Sequence, residues 1–239
     1  VSTNGGPVAS VDQRVVTVDG PAGSGKSTLG RRLASVLLLP FVDTGLLYRG
    51  VTVAAVRAGL DAHDSDALIG LAARTKIDIR TDPTRPPGSG EVMVDGEDAA
   101  ALLRDPRYAP LLSLISAIPE VRSLLLAPQR ELAAQGAVAV GRDCGTVVFP
   151  TARVKFFLWA TTETRMRRRA LQLSGLAPDV QEESLHADVG GRDSVDSTRR
   201  AAPLRAAADA HIIDTGALDV DGMVERALAI CEAAGLMPA

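Results

Sequence analysis

Gly20-Pro21-Ala22-Gly23-Ser24-Gly25-Lys26-Ser27, with Thr28 directly after it, decides the fold. It satisfies G-x-x-x-x-G-K-[ST] in full. In front of it runs Arg14-Val15-Val16-Thr17-Val18-Asp19, a β-branched stretch that reads as a buried strand. Behind it, Leu29, Leu33, Val36 and Leu37 recur at helical spacing. A glycine-rich turn between strand and helix lets successive backbone N–H groups face one anion, at the helix end whose dipole favours negative charge. Lys26 is placed to reach the β- and γ-phosphates, and the Ser27 hydroxyl to ligate Mg²⁺. The segment predicts a site for a nucleoside triphosphate with its magnesium ion.

Outward from this point, strand and helix patterns alternate. Phe41–Asp43 reads as a second strand and residues 46–60 as a second helix, which opens a parallel α/β sheet. Residues 137–140 and 154–159 are continuous apolar runs, as buried parallel strands are. A fifth strand at 211–214 precedes a helix over 220–234, and further helices are expected over 116–134 and 163–173. The alternation breaks twice. A helix at 64–74 and strands at 76–80 and 91–94, joined through a turn rich in proline and glycine, predict a small antiparallel insertion. Residues 174–200 are polar and punctuated by glycine, with a helix near 180–189. The predicted architecture is therefore an α/β P-loop NTPase fold with a parallel five-stranded sheet and flanking helices. Its core comprises 14–60, 118–173 and 201–239, with an acceptor-binding insertion at 61–117 and a lid at 174–200. Residues 1–13 read as a disordered leader.

The 239 residues carry 26 basic and 29 acidic side chains, a net charge of −3, and 46% are hydrophobic. That balance supports no nucleic-acid partner. No apolar run approaches the roughly 18–20 residues of a membrane span, so no membrane partner is expected. Cys144 and Cys231, the only cysteines, build neither a disulfide framework nor a zinc site, and a reducing cytosol is the expected location. Asn4 is the only asparagine, so the Asn-Lys-x-Asp motif of GTPases is missing. The strand at 154–159 ends in Trp159-Ala160 rather than in an acid, which speaks against a motor or helicase. A small phosphotransferase remains. It must hold several phosphate charges at contact distance, using cations that keep their proton, and arginine does so with bidentate geometry. Here arginine outnumbers lysine 23 to 3.

Beyond VDGPAGSGKST (18–28), five segments carry a resemblance: VDTGLLYRG (42–50), SAIPEVR (116–122), GRDCGTVVFP (141–150), TRMRRRALQL (164–173) and RDSVDSTRRAAPL (192–204). In this order and spacing, over about residues 14–230, the chain resembles the bacterial cytidylate kinases, P-loop kinases of nucleoside monophosphates. The resemblance implies ATP as donor, CMP and dCMP as acceptors, direct in-line transfer and a monomer. It implies that Arg49 and Arg142 hold the acceptor phosphate and that Thr44 and Tyr48 lie beside the acceptor. Asp143 would accept from the cytosine amino group, Arg122 would donate to ring N3 and O2, and Ser113 would add a hydroxyl. Arg192 and Asp196 match ribose contacts, Arg199 approaches the transferring phosphate, and Arg165 and Arg169 bracket ATP. Lys26, Arg142, Arg192 and Arg199 make up the implied catalytic set.

Arg167 and Arg168 read as surface charges, the three histidines as structural or exposed, and Cys144 as a small buried residue. Val140 stands where the family usually has an acid that supports the following turn. Three alternatives stay open at this level: a plain ion pair between Asp143 and Arg122, the same chemistry on another acceptor such as UMP, and a nucleotide-binding protein without turnover.

Overall fold

The computed structural model describes residues 14–80, 91–99, 102–103, 105–174 and 192–238. The leader at 1–13, the helix expected near 180–189 and most of the 174–200 segment lie outside these residues.

β1 (Val15–Asp19) is buried along its whole length. Both of its neighbours come from the second half of the chain. β6 (Ala137–Gly141) pairs with it in parallel, Val15 opposite Ala137, and β7 (Val154–Trp159) lies on its other side, Val16 opposite Val154. β2 (Phe41–Asp43) adds outside β6, and β8 (His211–Asp214) outside β7, giving the parallel order β2-β6-β1-β7-β8. Each strand interior is apolar because both faces are covered. On one face, α1 (Lys26–Leu37) and α8 (Val220–Ala233) press Leu29, Leu33, Met223 and Ala227 onto Val16, Val18, Val138 and Phe156. The other face packs Val15, Ala137 and Ala139 against Ala133, Cys144 and Phe149.

A second core lies beside the sheet. α2 (Gly45–Arg57) and α3 (Ser65–Arg74) pack with a three-stranded antiparallel sheet of β3 (Ile77–Arg80), β4 (Glu91–Val94) and β5 (Glu97–Asp98). The side chain of Asp64 caps α3 by accepting from Ala67 N. β3 and β4 form the expected pair. β5 was not expected; it closes a hairpin on Asp95-Gly96, both with positive φ (52° and 85°), the backbone that a tight two-residue turn requires.

The helix expected over 116–134 is present from Pro119 to Glu131, and a further helix that was not expected precedes it. α4 (Ala109–Ala117) and α5 (Pro119–Glu131) meet at 90°. Pro119 crowds the preceding residue out of the helical region, so Ile118 sits at φ −71°, ψ 117°, ending α4, while Pro119 opens α5. Between β6 and β7 the chain makes a π-helical turn over Cys144–Val148. α6 (Thr162–Ser174) follows β7, and α7 (Arg192–Thr198) precedes β8. Among the described residues no single helix is long and apolar enough to cross a membrane.

Candidate active site

The carboxyl ends of β1, β2 and β6 bring the Gly20–Ser27 loop, the start of α2 and the 141–148 turn around one cleft, the place where open parallel sheets hold ligands. Gly23 and Gly25 carry φ values of 73° and 93°, which L side chains rarely adopt, and a Cβ on Gly23 would sit 2.7 Å from Arg165 O. These turns start α1 so that the N–H groups of Lys26, Ser27 and Thr28 lack an acceptor inside the helix. Ala22, Gly23 and Gly25–Thr28 line the cleft, while Gly20, Pro21 and Ser24 stand behind it.

The loop carbonyls are held on the far side. Ala22 O accepts from Arg165 Nη1 at 3.0 Å, and Ser24 O from Thr215 Oγ1 at 3.1 Å. Arg168 in turn donates to Thr215 Oγ1 at 2.9 Å and to Thr215 O at 2.6 Å. Arg168 is therefore not a surface charge; it anchors the loop through Thr215. Lys26 donates to Pro21 O at 2.6 Å, and burial, aided by the charge of Arg142, pushes its pKa well below the usual lysine range.

The opposite wall is a chain of alternating charges. Arg122 Nη2 donates to Asp143 Oδ2 at 2.5 Å; Asp143 Oδ1 lies 3.6 Å from Arg199 Nη2; Arg199 Nη1 donates to Asp196 Oδ1 at 3.0 Å; and Arg142 Nε donates to Asp196 Oδ2 at 2.8 Å. The Arg122 and Asp143 side chains are each 8% exposed and that of Arg199 3%, so water screens this network poorly. Among the described residues, three guanidinium groups face two carboxylates. Burial, reinforced by Arg122, lowers the pKa of Arg199, whose buried Nη2 makes no hydrogen bond among the described residues. For Arg122, burial also works downward, but Asp143 and Tyr48 outweigh it and raise the pKa. Arg122 lies 5.2 Å from the Tyr48 ring centre, and burial pushes the Tyr48 hydroxyl up to about 12.

The remaining candidates occupy defined places. Thr44 Oγ1 donates to Val140 O at 3.0 Å and lines the cleft, as do Tyr48 and Arg49, whose Nη1 donates to Leu103 O at 2.9 Å. Ser113 is not among the lining residues, and its hydroxyl donates to Ala109 O of its own helix at 3.0 Å. Ser116, almost one turn further along α4, does line the cleft. Arg165 is buried behind the phosphate loop. The side chains of Arg169 and Arg192 lie outside the described residues, as does His186; His63 and His211 are exposed, and Cys144 is fully buried.

Three carboxylates were missed by the sequence reading. Asp19 accepts from Cys144 N at 2.9 Å and from Gly145 N at 2.7 Å, so it supports the turn that Val140 leaves without an acid. Burial raises its pKa from 3.8 to about 6 against the pull of those two N–H donors. Its only sequence signal was a charged residue closing an apolar strand. Asp43 lines the cleft next to the loop and accepts from Gly45 N at 3.0 Å. Asp193 in α7 accepts from Ala22 N at 3.0 Å and from Arg165 Nη1.

Comparison of the sequence with known proteins points to one family. The family model for cytidylate kinases matches residues 16–233. The chain is similar to the cytidylate kinase of Syntrophotalea carbinolica, 45% identical over 219 residues that cover 91% of this chain and 92% of the relative. It is likewise similar to that of Corynebacterium glutamicum, 42% over 221 residues covering 92% and 94%. With that of Mycobacterium avium it shares 46% over 205 residues, covering 84% and 87%.

Proposed function

The chain belongs to the cytidylate kinase family, and from that premise we propose how its cleft carries out the family's reaction. It is a nucleoside monophosphate kinase that phosphorylates CMP with ATP. The observation that carries the site assignment is that the phosphate loop and the arginine–aspartate chain line one and the same cleft. In the proposed reaction the Gly20–Thr28 segment cradles the ATP phosphates, with Arg165 and Arg169 behind and beside them. Lys26 leaves Pro21 O for the β- and γ-phosphates. Arg49, Arg142 and Arg199 hold the phosphate of CMP or dCMP, whose negative charge meets the three guanidinium groups that face two carboxylates among the described residues, and Arg192 goes with Asp196 to the ribose. Asp143 accepts from the cytosine amino group and Arg122 donates to N3 and O2. Asp196 takes the ribose, and Ser116, rather than Ser113, supplies the hydroxyl at the base.

The acceptor phosphate is already an oxyanion, so no side chain need remove a proton; catalysis rests on alignment and on positive charge that does not reorganise. The residues present also fit a magnesium ion. The Ser27 hydroxyl and the Asp43 carboxylate line the cleft and are hard oxygen donors, and no imidazole or thiol is among the lining residues. Ser27 would hold it, with Asp43 close by, and the ion would supply Lewis-acid neutralisation of charge on the β- and γ-phosphates. Residues 61–117 serve in this reading as the acceptor-binding insertion, and α7 with the residues up to Arg200 as the described part of the lid. We read the enzyme as a cytosolic monomer; both cysteines are buried and unpaired, which suits a reducing compartment.

A coupled ADP-release assay over CMP, dCMP, UMP and AMP tests the reading, with sedimentation for the monomer. CMP and dCMP should give the highest kcat/KM. AMP as the best acceptor refutes the base-reading assignment of Asp143 and Arg122.

A further inference from the structure

α7 touches both halves of the cleft at once. At its amino end, Asp193 Oδ1 accepts from Ala22 N at 3.0 Å while Oδ2 accepts from Arg165 Nη1. Arg165 Nη1 also donates to Ala22 O at 3.0 Å. The result is a closed ring of hydrogen bonds in which one carboxylate and one guanidinium grip both polar groups of a single phosphate-loop residue. One turn later on the same helix, Asp196 accepts from Arg142; just past its end, Arg199 reaches Asp196 and Asp143. Asp193 and Asp196 are three apart on the helix and Arg199 follows its end, so this short segment meets the donor loop at one end and the acceptor wall at the other.

Asp193 does not fill the phosphate cradle. It takes the N–H of Ala22, whereas the N–H groups of Lys26, Ser27 and Thr28 open α1 and need no partner from α7. Its charge also acts on Lys26 in the direction that keeps the ammonium protonated. The carboxylate thus lies outside the cleft lining and fixes Ala22 and Arg165 from behind the loop.

We propose that Asp193 is a positioning residue that transmits occupancy of the acceptor half of the cleft to the ATP half. When CMP settles on Arg142, Asp143, Asp196 and Arg199 it holds α7 in this place, and Asp193 then holds Ala22 and Arg165 in the geometry that ATP needs. The inference rests on the cytidylate kinase reading of the site. Coupling between two ligands is reciprocal, so each must tighten the other by the same factor.

The test is calorimetric titration of the full chain with the non-hydrolysable imido analogue of ATP plus Mg²⁺, with and without CMP, and of CMP with and without the analogue. Native chain, Asp193→Asn and Asp193→Ala are compared, each with a thermal melt. Asparagine can still accept from Ala22 N but turns an amide donor toward Arg165, so both variants break the ring. The native chain should show mutual tightening of about fivefold or more, within the usual range of coupling. In both variants the factor should fall below about twofold, while CMP alone binds within about twofold of native.

Native-sized coupling in folded variants overturns the proposal, as does a native factor near one. Tighter binding of the analogue to Asp193→Ala also overturns it, because Asp193 would then be an anion that ATP must displace. If the native chain makes no CDP from CMP, the family reading of the site fails and takes this inference with it. CDP formation with unaltered coupling in the variants overturns the Asp193 assignment alone.

Discussion

Replacing Asp19 by asparagine tests how the floor of the cleft is held. Asp19 is a buried carboxylate with two backbone N–H donors, and burial outweighs them to raise its pKa from 3.8 to about 6. A shift of that size is worth about 3 kcal/mol. Because the folded value is the higher one, folding favours the protonated acid. Its stabilisation is complete below about pH 3.8 and is lost as the pH climbs through about 6. Asparagine does not titrate, so whatever it loses in hydrogen bonding to Cys144 and Gly145 is the same at every pH. The difference in unfolding free energy, native minus Asp19→Asn, isolates the titration. It should fall as pH rises, by about 2 of the 3 kcal/mol between pH 4.5 and 8, and then level off. Urea denaturation of both chains across that range measures it. A difference that stays flat, or that grows with pH, refutes the reasoning and means that the two N–H donors govern the acid.

The remaining predictions concern the two walls of the cleft. Lys26→Met should lower kcat by about 10²–10³ in the coupled assay, as removal of a preorganised charge donor does, without lowering the melting temperature, because a half-buried ammonium whose charge is disfavoured there gives way to a methyl-capped chain. Thr215→Val leaves Ser24 O and one Arg168 donor unpaired. It should weaken binding of the ATP analogue by about 5- to 100-fold by calorimetry, with CMP binding unchanged and Thr215→Ser close to native. Asp143→Ala should raise KM for CMP more than KM for UMP, measured as the ratio of kcat/KM for the two acceptors.

What was legible in the sequence was what is local. The strand, loop and helix around Gly20–Ser27 are encoded in some twenty contiguous residues, and they fold as read. The five strands were likewise found from their apolar runs, within a residue or two. Two local signals were left unused. Asp95-Gly96 announces the hairpin that adds β5, and proline at 119 dictates that a helix ends before it as well as begins on it. The misses at the site have a different cause. Asp19 finds its donors 125 residues away, Asp193 finds Ala22 at a separation of 171, and Arg168 finds Thr215 at 47. Spacing along a helix placed Arg168 on an outer face, but an outer face of α6 in isolation is not an outer face once the loop after β8 lies against it. Ser113 shows the converse: its helix was not recognised, so nothing told which of its serines faces the cleft.

The strand order has a cost during synthesis. β1 has no partner among the strands that follow it directly, since β6 lies between it and β2 and its first ladder joins Val15 to Ala137. At ~5–20 residues per second, a ribosome needs roughly 6–25 s to deliver that partner. Throughout that interval Val15, Val16 and Val18, fully buried in the finished protein, lack the strands that pair with them. The nucleotide loop that follows them is thus translated well before the strands that fix it, and its setting waits on the second half of the chain.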